Sequence, residues 1–89
     1  MSVFLVSYDL KRPKQNYTRL YEELQKSQAW WHFLESTWLI ETNEAVNTLY
    51  NRLARKIDAN GFILVIEVKR NYQGWLPKEA WDWMGQRIN

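Results

Sequence analysis

The spacing of apolar and polar positions along this chain changes several times, and each change marks an element. Val3 to Tyr8 is a near-continuous run of apolar, β-branched and aromatic residues, too short for a helix, and it predicts a strand. A strand that is apolar on both faces belongs in the middle of a sheet covered on both sides. It stops at Asp9. Lys11-Arg12-Pro13-Lys14 reads as a loop, because Pro13 has no ladder donor and drives Arg12 out of helical geometry. From Gln15 or Asn16 to Ser27 the period becomes helical. Tyr17, Leu20, Tyr21 and Leu24 make the inner stripe, with Arg19, Glu22, Glu23 and Lys26 on the wet side.

Ala29 to Thr42 returns to aromatic and β-branched residues, interrupted by Glu35-Ser36. The pattern predicts a hairpin with a short strand near Trp30–Leu34 and a longer one over Thr37–Glu41. Thr42 or Asn43 then caps a helix running to about Ile57, with Val46, Leu49, Tyr50, Leu53 and Ile57 as its stripe. Asn60-Gly61 ends it, and Phe62–Val68 predicts the last strand. On that strand either Phe62, Leu64, Ile66 and Val68 or Ile63, Val65, Glu67 and Lys69 face away from the helices. Asn71-Tyr72-Gln73-Gly74 reads as a loop. Pro77 suits the first turn of a short helix, with Trp81, Met84 and Ile88 on one side.

The resulting order, β-α-β-β-α-β plus a C-terminal helix, predicts an α+β fold of the ferredoxin-like type: a four-stranded antiparallel sheet in the order 4-1-3-2 with both main helices on one face. The other face is partly apolar and needs a cover, supplied by the tail, by a second copy of the chain, or by both. A homodimer is the expected assembly. With 89 residues the chain makes one domain, a core over 1–68 and a tail over 69–89.

Composition sharpens this picture in three ways. No cysteine is present, which removes disulfides, thiolate metal sites and cysteine nucleophiles. Six Trp, five Tyr and three Phe supply large buried areas to a small core and are also residues favoured at interfaces. A net charge of +2 excludes a purely electrostatic, histone-like nucleic-acid binder but leaves a local basic patch open. No apolar run is long enough to span a bilayer, and no basic flank precedes the first apolar stretch, so the expectation is a cytoplasmic protein without a membrane anchor.

Three features narrow the class further. The first strand ends in Tyr8-Asp9-Leu10 and leads directly into a basic loop. The region after the first helix runs Trp31-His32-Phe33-Leu34-Glu35-Ser36-Thr37-Trp38-Leu39, with a serine opening a strand, and the whole domain is about ninety residues. Together these resemble the small CRISPR-associated adaptation subunit, the second Cas protein, and its SinR-like and VapD-like relatives, most of all the SinR-like branch. The similarity covers roughly residues 1–68. It implies a dimeric ferredoxin-like protein in which the aspartate ending the first strand meets its copy near the dimer axis. Some members are metal-dependent nucleases and others serve as scaffolds. Asp9 is the residue to which the catalytic and metal-binding role transfers. The family's segment after the first helix, a basic residue followed by Val-Gln-x-Ser-Val-Phe-Glu, is kept here only at Ser36.

Each candidate residue has a chemical role and a plainer one. Asp9 offers a hard oxygen ligand for Mg²⁺ or Mn²⁺, and two copies would meet the minimum of one or two carboxylates that Mg²⁺ uses beside substrate phosphate. Alternatively, it accepts hydrogen bonds from the loop that follows. Lys11, Arg12 and Lys14 stand where a phosphate backbone of RNA or DNA would approach, and binding there would weaken as salt rises. Equally, they are solvated loop cations. His32, the sole histidine, and Ser36 are supporting candidates. His32 sits among rings that favour a packed role, and Ser36 has no histidine–acid pattern to activate it. Glu35 and Glu67 would add carboxylates only if their strands face them toward Asp9. The expected functions are therefore a nucleic-acid-processing dimer, with a metal-dependent endonuclease activity through paired Asp9, or a catalytically silent dimer that binds nucleic acid or a protein partner.

Overall fold

The computed structural model describes residues 1–9, 17–57 and 61–88. The basic loop at 11–14, the first residues of the expected first helix and Asn60 lie outside them.

Residues 2–9 alternate between two apolar environments, and this two-sided character places them at the centre of the sheet. The strand β1 (Ser2–Asp9) is flanked on one side by β3 (Thr37–Thr42) and on the other by β4 (Phe62–Glu67), while β2 (Ala29–His32) pairs with the outer side of β3. All neighbours are antiparallel. The observed order is β2-β3-β1-β4, where the sequence reading numbers it 4-1-3-2. The two counts run from opposite edges, and both put β1 between β3 and β4.

Helices α1 (Thr18–Gln25) and α2 (Val46–Ala54) cover one face. Phe4, Val6 and Tyr8 of β1 and Trp38 and Ile40 of β3 project into this layer, where they meet Leu20, Leu24, Leu49 and Leu53. Period-two alternation sends Val3 and Leu5 to the opposite face. There α3 (Lys78–Arg87) lies against Val3 and Leu39 through Met84 and the following Ile88. The tail therefore supplies a cover to the second face. Pro77 precedes α3 as its N-cap, and Ala80, Met84 and Ile88 are its buried positions, with Trp81 packed beside them.

Several boundaries differ from those expected. Thr42 does not cap α2. It ends β3, accepts the Glu44 N–H (3.2 Å) and donates to the Glu44 carboxylate (3.0 Å), so the chain turns once more and Ala45 becomes the N-cap, with no side-chain capping bond. Val46 and Tyr50 are exposed, leaving a stripe of Leu49 and Leu53 with Ile57 beside it. Glu23, placed on the wet side by its charge, is buried. On β4, Phe62, Leu64 and Ile66 face away from α1 and α2 and stay exposed, while Ile63 and Val65 pack inward.

Candidate functional site

Asp9 is the last residue of β1, exposed, and paired in register with Phe62 of β4. By strand alternation it shares its face with Ser7, Leu64 and Phe62, beyond the part of the sheet that α3 covers. A shallow depression of about 270 Å³ lies between these side chains. The β2–β3 turn is drawn to this end of the sheet because Tyr8 N–H donates to the Ser36 carbonyl at 3.1 Å, and the Thr37 hydroxyl donates to the Ser7 hydroxyl at 3.4 Å on the Asp9 face. Ser36 thus comes to the Asp9 end of the sheet through its backbone, with its own side chain exposed.

His32 goes elsewhere. It pairs with Trp38, and Trp38 pairs with Val6, so the imidazole lies on the helix-covered face, opposite Asp9. Its ring stacks on the Trp38 indole at 4.0 Å and 12°, and meets Tyr21 edge-on at 5.4 Å. Its Nε2 lies 3.2 Å from the Glu35 carbonyl oxygen. This histidine is part of an aromatic array that also includes Trp30 against Trp38, Tyr17 against Tyr21 and Tyr8 against Tyr17. Trp38 Nε1–H donates to the Tyr8 hydroxyl at 3.2 Å, satisfying a buried donor in the middle of the core. Burial, with a further contribution from a hydrogen bond to Tyr21, pushes the Tyr8 phenol above its usual range.

The two other carboxylates considered do not join Asp9. Glu67 is at the far end of β4, opposite Phe4, and is engaged by Lys69 at 2.9 Å. Glu35 sits in the exposed turn. Among the described residues no three His, Asp or Glu side chains converge as a ligand set. Among the described residues Asp9 therefore belongs to no group of three such ligands, and a divalent cation here would need a second copy or substrate oxygens to complete its shell. Lys11, Arg12 and Lys14 follow Asp9 in sequence but fall outside the described residues.

Two further clusters lie outside the candidate residues. In the first, Arg52 of α2 reaches across to the end of α1. It donates to the Glu23 carboxylate (3.1 Å) and carbonyl (2.6 Å), to the Ser27 hydroxyl (3.1 Å), and in a two-point fork to Glu44 (2.9 and 3.1 Å). Burial pushes Glu23 up, but hydrogen bonds from Arg52 and Lys26 outweigh it and hold the carboxyl below its ordinary value; the Arg52 hydrogen bond does the same for Glu44. The helical spacing Leu20-Glu23-Leu24 and Leu49-Arg52-Leu53 held the signal, since both charges sit on the edge of an apolar stripe.

The second is an apolar groove of about 340 Å³ between the sheet and the tail, walled by Trp31, Leu34, Leu39, Trp81 and Met84, with Trp75 on its rim. Trp81 donates to the Leu76 carbonyl at 3.2 Å and stacks on Tyr72 at 6.1 Å, which shapes one wall. Trp75 itself is 97% exposed. Arg87 lies over the Trp83 ring at 4.6 Å and 3.5 Å from Glu41, fastening α3 to the end of β3.

Comparison with family models, with curated proteins and with solved structures finds no match for this chain. No helix among the described residues is long and apolar enough to cross a membrane.

Proposed function

We propose that this chain is a ferredoxin-like dimer of the second-Cas-protein type that binds RNA or DNA through the basic segment Lys11, Arg12 and Lys14, with hydrolysis weak or absent. The observation that carries this reading is the position of Asp9: an exposed acid ending the central strand, on a bare stretch of sheet, followed in sequence by three cations. A phosphate backbone lying along that end of the sheet would be neutralised by the cations of both copies, releasing counterions. Among the described residues no set of three ligands forms around Asp9, which limits metal-assisted chemistry. Mg²⁺ or Mn²⁺ held between two Asp9 carboxylates would leave most of its shell to water and substrate, so no hydrolytic step is assigned to it. Ser36 and His32 take no part in this proposal, the first for want of an activating base and the second because it faces the other side of the sheet.

A second reading, a scaffold that binds a protein partner, is favoured by the apolar groove, which has no cation in its walls. The two readings separate in one set of measurements. Binding of single- and double-stranded RNA and DNA is expected at low salt, to weaken as salt rises, and to fall when Lys11, Arg12 and Lys14 are changed together to Gln. Asp9→Ala is expected to leave binding intact or tighten it by removing repulsion. Cleavage that requires Mg²⁺ or Mn²⁺ and disappears in a folded Asp9→Ala variant would instead establish an endonuclease. No binding of any nucleic acid at low salt would leave the protein scaffold standing.

A further inference from the structure

We infer that the open face of the sheet seats a second copy of this chain, and that Trp75 of each copy enters the apolar groove of the other. This rests on the dimeric part of the reading above and gives it a location. Phe62, Leu64 and Ile66 form a stripe on β4 that is 64%, 59% and 53% exposed. Ile66 pairs in register with Leu5, and Leu5 is itself a wall of the groove, so stripe and groove form one continuous apolar surface.

Trp75 stands at the end of that surface. Residues 69–75 are all exposed, and among the described residues none of them makes a backbone–backbone hydrogen bond, so the segment leaves its indole projecting from the rim. A projecting ring beside a groove of about 340 Å³ places a knob and a hole on the same patch. That is the self-complementary arrangement a two-fold interface requires, in which each copy gives its knob to the other's hole. The three stripe residues and Trp75 alone expose on the order of 550 Å² per copy, or about 1,100 Å² in a pair, against the ~1,000 Å² that a stable interface needs. The groove walls carry neither Lys nor Arg, so they offer a phosphate backbone no counter-charge, whereas they suit an indole.

Sedimentation of the full chain over about 1–100 µM tests this directly, alongside Trp75→Ala and Leu64→Asp. The expected result is a wild-type dimer, with association weakened at least about tenfold in either variant. Because both side chains are exposed, the far-UV circular dichroism of the variants should match wild type, which separates lost association from lost folding. A concentration-dependent blue shift of tryptophan emission should also be smaller in Trp75→Ala. A wild-type chain that stays monomeric at the top of the range overturns both this inference and the dimeric reading. A Trp75→Ala chain that dimerises as tightly as wild type overturns the exchange alone. Nucleic-acid binding by the basic segment is read separately, by its salt dependence.

Discussion

Arg52 shows how much one side chain can fasten in a small domain. Its guanidinium donates five hydrogen bonds that tie the end of α1 and the approach to α2 together. Partly buried, charge-assisted bonds of this kind contribute more than an exposed pair, and removing the guanidinium strands two carboxylates. Arg52→Ala is therefore expected to cost about 1–3 kcal/mol in urea or thermal unfolding at neutral pH. The carboxylates add a pH dependence of definite sign. Both are held below their ordinary value of 4.5 in the folded chain, so their stabilisation is complete above that value and is lost as pH falls through the lower, folded value. Melting temperature should fall below about pH 4.5, and Glu23→Gln with Glu44→Gln should flatten that fall. Glu23 also shows where sequence patterning misleads: a charge at the edge of an apolar stripe reads as solvent-facing until the partner that neutralises it is seen on another helix. His32 was readable as a packed ring from its aromatic neighbours, but the face it occupies required the register of β2 on β3.

At the scale of elements, the strands were legible and the helix ends were not. β1, β3 and β4 carry their own signal in dense β-branched and aromatic runs, and observed limits fall within a residue of those expected. The start of α2 was misplaced because Thr42 spends its hydroxyl on Glu44 in a turn, a competing local use of the same chemistry that makes a good cap. Ala45 is left as the N-cap with extended geometry (φ −70°, ψ 159°) and no side-chain oxygen to offer the first turn. Ala45→Ser fits this geometry and is expected to raise stability by about 0.5–1 kcal/mol, measured by urea unfolding. No gain in the midpoint would mean that the first-turn amides already have partners in solution. The two possible facings of β4 could not be separated by composition, since both sets of residues contain apolar members. Pairing with β1 decides between them.

The whole molecule is a sheet between unequal covers: α1 and α2 span one face, and α3 spans only part of the other. The short cover still matters, because Val3, Leu39, Met84 and Ile88 form a core of their own beneath it. A chain truncated after Arg70 should expose that core and either melt at lower temperature or aggregate, read by thermal unfolding and light scattering. An unchanged melt would make the tail an appendage. The central position of β1 carries a further consequence, one of timing. This strand leaves the ribosome ahead of both its neighbours; α1 can meet one of its faces early, but its pairing edges and its other face have no partner until β3, β4 and the tail have been made. Loop closure across most of the domain must precede the last pairing, so folding should be slow for a chain of this size and limited by the arrival of β4. Until then an apolar strand destined for the centre of the sheet is left without its pairing partners, and nascent chains stalled before residue 62 should be the form that chaperones hold.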